Sequence, residues 1–417
     1  MVTDIREKIA AANTEVVNRL ATSNPVLVDI LPAGQVVPGL EDRMILHSGP
    51  PVTWENMCGA QRGAVMAMAI FEGWADTPEE AADLVAGGQI ALSPNHHHDA
   101  VGPMAGTITK SLPVYVVENQ AFGNTAYCRL VEDRQQFGDY SEEAIHDLRM
   151  WRDVWAPSLA KGIVHIGGLS LKPIITKALQ MGDELHNRPN AATSLFAGAM
   201  SVPMIEAGVS RDDLVSTLSY VTGHDLLFLG LAMASAKSAA DSAANVEYST
   251  VVTAMARNGT EFGIRVSGLG DQWFTAPAPK ADGLYMPGYG DADGGLDMGD
   301  SAITETVGWG GFVLGGAPGI LPLVGGTPEE ALAYSREMRE ITHAISPDYL
   351  IPALGFQGTS VGIDIRKVVQ TGILPIIDTA IAHVEPGHPI IGAGLVRPPL
   401  ECFQNALRAF AVKYNPG

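Results

Sequence analysis

From Ser141 to about Asn245 the chain is patterned almost wholly for helices, and this run is bracketed by segments in which short strands return. Apolar residues recur at three-to-four spacing through Glu142–Lys161, Leu169–His186, Ala191–Gly208, Arg211–Val221 and His224–Ala244, the signature of helices that bury one face. The last segment carries Leu227-Phe-Leu-Gly-Leu-Ala-Met-Ala-Ser-Ala-Lys-Ser-Ala-Ala240, whose small residues suit close helix contact. A chain so divided cannot be a single layered sheet.

The flanking segments read as α/β. On the N-terminal side an amphipathic helix is expected over Asp4–Ala21, then strands at Val26–Ile30, Met44–His47 and Leu112–Glu118. Thr53, with Glu55 in the first turn, is expected to cap a long apolar helix through Ala75, and Thr77-Pro-Glu-Glu to start another, since a hydroxyl cap followed by proline suits a helix start. On the C-terminal side Thr327-Pro-Glu-Glu opens a helix to about Ile345, Gly362–Gln370 reads as a helix stopped by Gly372, Ile373–Glu385 as a strand and Pro398–Val412 as a closing helix. At 417 residues the chain exceeds one typical core. The expected fold is therefore α+β (mixed α/β) and multidomain: an α/β domain over 1–135, a helical domain over 136–246 and an α/β domain over 247–417.

Composition narrows the function classes. The hydrophobic content of 46% supports packed cores, while the longest apolar runs, such as Leu226–Ala236, fall short of a bilayer span. The charged start Met-Val-Thr-Asp-Ile-Arg-Glu-Lys gives no secretory signal, and Cys58, Cys128 and Cys402 are too scattered for a disulfide frame or a cysteine zinc site. A cytoplasmic location is expected. A formal charge of −20 disfavours nucleic acid and anionic membranes as partners.

Against that charge, two stretches gather groups that hold small anions. Thr253–Pro277 and Asp297–Gly311 combine arginines, hydroxyls and glycines; guanidinium forks grip carboxylate or phosphate, and glycine lets backbone amides approach. Gly259–Gly270 reads as a strand whose alternation puts Gly263, Arg265 and Ser267 on one face, with Arg257 and Asn258 in the preceding turn. Asp297–Thr306 reads as a turn entering a helix with Asp300 or Ser301 at the cap, so the Gly299–Ser301 amides would face an oxyanion. Asp297, Asp300 and Glu305 would repel an anion unless they bind its amide nitrogen. An amide-bearing anion is therefore favoured over simple phosphate. The same oxygens could hold Mg2+; no other cofactor is expected.

The loop Ser93–Gly106 contains His96, His97 and His98. Consecutive side chains cannot all face one metal, so no metal site is expected, and His96 and His97 suit polarising a carbonyl or moving a proton. Solvated loop histidines are the plain alternative. Farther on, Thr379, His383 and Glu385 share one face of the expected strand and Asp378 the other, while Gly392-Ala-Gly394 with Arg397 forms a short candidate anion loop. Asp364 suits a helix cap. Cys58 reads as core, inside an apolar helix. No phosphate-binding P-loop, dinucleotide fingerprint or nucleophile elbow is present.

These residues lie within a wider resemblance. Leu46-His-Ser-Gly-Pro-Pro51, Phe71-Glu-Gly-Trp74, His96-His97 with Ala100-Val-Gly-Pro-Met104, Val117-Glu-Asn119, Met181-Gly-Asp-Glu184, Ala256-Arg-Asn-Gly259, Phe262–Gly270, Trp273–Pro277, Met298–Glu305, Gly362–Arg366, Ile381-Ala-His383 and Ile391–Gly394 together resemble the AllG (YlbE) family over essentially the whole length. The resemblance implies one subunit of an oxamate carbamoyltransferase, interconverting oxalurate and phosphate with oxamate and carbamoyl phosphate in allantoin nitrogen recycling. It further implies FdrA-like and AllH-like partner subunits, and a homo-oligomer is expected. In that frame His96, His97, Arg265 and His383 are the candidate catalytic residues. Glu118, Asn119, Arg257, Asn258, Ser267, Gly299, Asp300, Ser301, Glu305, Arg366 and Arg397 are candidate substrate contacts, with Glu118, Asn119 and Glu305 orienting the carbamoyl NH2. A ureide or cyclic-amide hydrolase with a metal in the histidine loop, and a non-catalytic scaffold subunit, are the competing readings.

Overall fold

β-branched residues crowd Pro25–Pro32 and Pro113–Asn119, and these two segments pair antiparallel at the centre of the first sheet in the computed structural model, which describes residues 5–414. The full order is Ala100–Val101, Asn124–Arg129, Pro113–Asn119, Pro25–Pro32, Leu169–Ser170; only the first pair is parallel. The helix Phe228–Ser242 packs against the strands Pro113–Asn119 and Asn124–Arg129 and is buried at every residue from Phe228 to Ala240. Its small residues follow from that contact: a Cβ on Gly230 would lie 2.9 Å from the Arg129 carbonyl oxygen and from the Tyr115 ring. The helical stretch thus covers the N-terminal sheet, and one core cluster runs through both, including Tyr115, Trp151, Phe196 and Phe228.

The second half is built on antiparallel pairing. A four-stranded sheet runs Phe274–Pro277, Glu261–Val266, Val252–Asn258, Met298–Gly299. The closing helix Leu400–Tyr414 lays Phe403 and Phe410 against it in a second core with Phe262, Ile264 and Phe274. A three-stranded sheet of Asp282–Tyr285, Gly392–Val396 and Ile377–Ile381, and the hairpin of Thr342–Ile351 with Gln357–Ile363, complete this half. The architecture is the mixed α/β one expected. Among the described residues no single helix is long and apolar enough to cross a membrane; the bent pair Arg211–Gly223 and Phe228–Ser242 passes by length and composition alone. The burial of the second helix against the sheet accounts for its hydropathy.

Several local expectations differ. The opening helix spans Ile5–Thr22, and Asp4 lies outside the described residues. Thr53 starts only a 3-10 turn, Trp54–Asn56; Met57 and Cys58 are extended, and the helix begins at Gly59. The break has a packing cause, since a Cβ on Gly59 would sit 2.2 Å from the Val384 carbonyl oxygen. Cys58 is therefore a half-buried cap residue, not a helix-interior one. The Glu142–Lys161 run continues to His165 through a π-helical turn at Trp151–Trp155, placed just before Pro157, which has no N–H to donate into the preceding turn. The Thr327 helix stops at Glu337 because β-branched Ile341-Thr342 enter the hairpin. Residues Gly362 and Ile363 still belong to that hairpin; Asp364 then caps the helix Ile365–Thr371, which ends at left-handed Gly372 as its sequence implies. The Ile373–Glu385 strand shrinks to Ile377–Ile381, so His383 and Glu385 lie in the loop beyond it and no strand face joins them to Thr379.

Candidate functional site

The loop Asn95–His98 forms one 3-10 turn at the end of the strand Ala91–Pro94, closed by Asp99 in the left-handed region at φ 53°. Its three imidazoles diverge. His98 bonds the Pro38 carbonyl through Nδ1 and the Ser93 hydroxyl through Nε2. His97 is exposed and accepts the Trp273 indole N–H at 3.2 Å. His96 turns inward, 3% exposed, edge-on to Trp273 with ring centroids 5.4 Å apart. Among the described residues neither ring nitrogen of His96 has a hydrogen-bond partner. A buried imidazole with two idle nitrogens is costly unless something else serves them.

What His96 faces is a cleft of about 510 Å³ lined by His96, His97, Lys237, Asp241, Asn245 and Arg265, among others. Arg265 stands on the strand Glu261–Val266, with its guanidinium 5.0 Å from the Trp273 ring centroid. Its hydrogen bonds go to the Asp271 carbonyl at 3.0 and 3.2 Å and the His96 carbonyl at 3.5 Å. The Asp271 carboxylate, 82% exposed, approaches only to 3.4 Å. Lys237, in the middle of the helix Phe228–Ser242, is buried and donates to Asp241 Oδ1 at 2.7 Å, while Asp241 Oδ2 has no partner. Burial holds His96 well below the usual imidazole range, and the Lys237 and Arg265 charges push it further the same way. His96 is thus neutral at pH 7, with one nitrogen to donate and one to accept.

Behind His96 sits Asp300, whose Oδ1 lies 3.7 Å from His96 Nε2. Asp300 is fully buried and accepts from the Gly49 N–H at 2.8 Å, the Asn95 side chain at 2.9 Å and the Gly102 N–H at 3.0 Å. It ties three loops together behind His96. Burial raises its carboxyl to about 6 against those hydrogen bonds.

The cleft gathers His96, His97 and Arg265; the other candidates are engaged elsewhere. Arg257 is fully buried and bound bidentately to Asp297 at 2.6 and 3.1 Å, with further bonds to the Gly299 carbonyl at 2.8 Å and Thr379 at 3.0 Å. Ser301 Oγ lies 3.4 Å from the same guanidinium. The helix after Ser301 is only Ile303–Thr306, one turn, too short for a macrodipole site. Asn258 holds the Pro50 carbonyl and the turn at Thr260–Glu261. Ser267 donates to the Ala243 carbonyl at 2.7 Å, and Asn119 bonds Asn24 and the Ser238 carbonyl. Glu118 is a half-buried strand residue. Arg366 pairs with Asp364 at 2.8 Å and Arg397 with Glu337 at 2.6 Å. His383 stacks on His388 with centroids 3.7 Å apart, in the loop after the strand Ile377–Ile381. Glu305 lies in a closed cluster with His186, 2.8 Å away.

Sequence reasoning passed over Lys237 and Asp241. The signal was there: a lone lysine in an otherwise small and apolar helix, with an aspartate four residues on. A helix buried on all sides keeps a lysine only where something polar receives it.

The family model for oxamate carbamoyltransferase subunit AllG matches residues 90–301. The Escherichia coli K12 oxamate carbamoyltransferase subunit AllG is 41% identical over 98% of this chain and 99% of its own. The uncharacterized protein YahG of the same organism is 47% identical over 99% of this chain and 88% of its own. A crystal structure of a conserved protein of unknown function from Enterococcus faecalis V583 superimposes with a TM-score of 0.97 at 45% identity, covering 99% of both chains.

Proposed function

The chain belongs to the AllG family of oxamate carbamoyltransferase subunits, and from that premise we propose that its cleft binds the anionic substrates of a carbamoyl transfer between oxalurate and phosphate. The observation that carries this reading is the convergence of a buried, unpartnered His96 with Lys237 and Arg265 on one polar cavity. Both reactants are anions, and holding them side by side requires two cations. Arg265, held chiefly by carbonyls, has fork capacity to spare; among the described residues Lys237 pairs with Asp241 alone.

In the proposed step a phosphate oxygen attacks the terminal carbamoyl carbon of oxalurate. The carbonyl becomes an oxyanion, which the Lys237 ammonium and the His96 N–H are positioned to receive. Collapse breaks the C–N bond and releases oxamate, whose nitrogen takes the proton that phosphate gives up, relayed by an imidazole of His96 or His97. Carbamoyl phosphate is the other product, so atoms and charge balance with no oxidant or reductant. The preorganised donors supply the stabilisation, each worth roughly 100- to 1,000-fold in kcat. FdrA-like and AllH-like subunits are the partners proposed to complete the assembly in the cytoplasm.

Calorimetric titration of the full chain with oxamate and with phosphate tests the site. Lys237→Met and Arg265→Ala should each weaken binding of at least one anion by tenfold or more. In the assembled transferase they should lower phosphate-dependent oxalurate cleavage about 100-fold. Wild-type affinity and turnover in both variants, or a soaked oxamate seated elsewhere in a crystal, would overturn the assignment.

A further inference from the structure

Away from the cleft, three segments distant in sequence bring four ionisable side chains together: Glu184 and His186 from the loop after the helix Lys172–Gln180, Glu305 from the turn Ile303–Thr306, and Asp378 from the strand Ile377–Ile381. None is more than 2% exposed. His186 Nδ1 lies 2.8 Å from Glu305 Oε1 and 3.1 Å from Asp378 Oδ1, and the ligand atoms of these three all fall within 4.8 Å of one another.

Their partners are unequal. Glu305 accepts from the Thr304 hydroxyl at 2.9 Å and the Gly311 N–H at 2.9 Å. Glu184 accepts from the His186 and Arg188 backbone amides. Among the described residues neither oxygen of Asp378 has a well-aligned hydrogen-bond donor, and the Glu184 and Glu305 carboxyls beside it can reach it only when protonated. One Nδ1 carries at most one hydrogen, yet two carboxylate oxygens contend for it. Even a charged imidazole neutralises one of three ionised carboxylates, and the rest carry a heavy desolvation penalty unless a further cation or protons shared between their oxygens relieve it. The backbone is also shaped around the cluster: Gly310 has φ 58°, and a Cβ there would stand 2.0 Å from Glu305 Oε1.

We propose that His186, Glu305 and Asp378 bind a divalent transition-metal ion that pins these three segments together, with the neighbouring Glu184 carboxylate strengthening the attraction. One imidazole with two carboxylates suits zinc, manganese or ferrous iron better than magnesium or calcium, whose sites are built of oxygen. With the His186 Nδ1 separations at 2.8 and 3.1 Å and all three atoms within 4.8 Å, small adjustments bring them to the spacing of about 3.4 Å that tetrahedral bonds of about 2.1 Å require. Enclosure on all sides makes the role structural. This proposal is independent of the carbamoyl-transfer reading, since none of its residues lines the cleft.

The test is elemental mass spectrometry of the full chain, expressed with zinc and manganese and freed of loose metal by gel filtration. About one transition-metal equivalent per chain is expected, falling below a tenth in Asp378→Asn and in His186→Gln but kept in His96→Ala. Should those variants not fold, wild-type protein stripped with chelator should gain more than about 3 °C in Tm when one equivalent of zinc or manganese is restored. Less than a tenth of an equivalent in wild type with no Tm response overturns the proposal. So does metal that survives Asp378→Asn and vanishes in His96→Ala.

Discussion

Arg257 and Arg265 stand on adjacent strands of one sheet, eight positions apart, and have opposite fates. Arg257 is wholly enclosed, and its guanidinium is consumed by Asp297, the Gly299 carbonyl and Thr379. Arg265 edges a cavity, leans on Trp273, and is held mainly by carbonyl oxygens. A guanidinium matched by an internal carboxylate is finished; one supported by neutral acceptors still seeks an anion. The same residue type, in the same sheet, thus serves architecture at one position and, in the proposed site, recognition at the other.

That contrast breaks if the two arginines respond alike. Arg257→Met leaves Asp297 buried without its cation and should cost about 3–5 kcal/mol of stability, whereas Arg265→Ala should cost about 1 kcal/mol or less while weakening anion binding. Denaturant unfolding of both variants measures the difference; equal losses would erase it.

A next contrast concerns pH. Asp300, without the bidentate cation Asp297 enjoys, has its carboxyl raised by burial to about 6. Its stabilising contribution is complete below the unfolded value near 3.8 and is lost as pH rises through about 6. His47, beside His97 and fully buried, is held by desolvation down to about 4, so its contribution is complete above about 6.5 and is lost as pH falls toward 4. Between pH 7 and 5, Asp300 should add about 1 kcal/mol and His47 remove about 2 kcal/mol. The stability difference between wild type and Asp300→Asn should therefore widen in favour of wild type on acidification, and that between wild type and His47→Gln should narrow. Unfolding at the two pH values reads both signs; a flat difference for either variant would refute its assignment.

The smallest effect belongs to Trp273→Phe. It keeps an aromatic face under Arg265 but deletes the indole N–H that fixes His97. Anion affinity should fall about threefold, in line with a partly exposed hydrogen bond of about 0.5–1 kcal/mol. No change would mean His97 needs no anchor.

Much of this was written locally in the chain. The helix periods, the Thr327 helix start and the Gly372 stop depend on near neighbours, and those expectations hold in place if not always in length, save at Leu169–Ser170, which pairs as a strand. The histidine turn and Arg265 were legible as candidates because their residue types advertise chemistry. Which of the arginines would be neutralised was not, since Asp297 and Glu337 reach Arg257 and Arg397 only by tertiary contact; the Asp364–Arg366 pair, two residues apart, was within local reach. Nor was Lys237, read as part of a packing stripe, or His186, which meets Glu305 and Asp378 only after the chain has crossed both halves. Backbone approach at Gly59 likewise cut short a helix that its apolar pattern favoured.

Lys237 belongs to a helix embedded in the first core, and Arg265 to a strand whose neighbours Ile264 and Val266 belong to the second. Whatever both cations grasp at once would act as a rivet between two core clusters. Filling the cleft should therefore slow amide hydrogen exchange along the helix and the strand together, including residues the ligand does not touch.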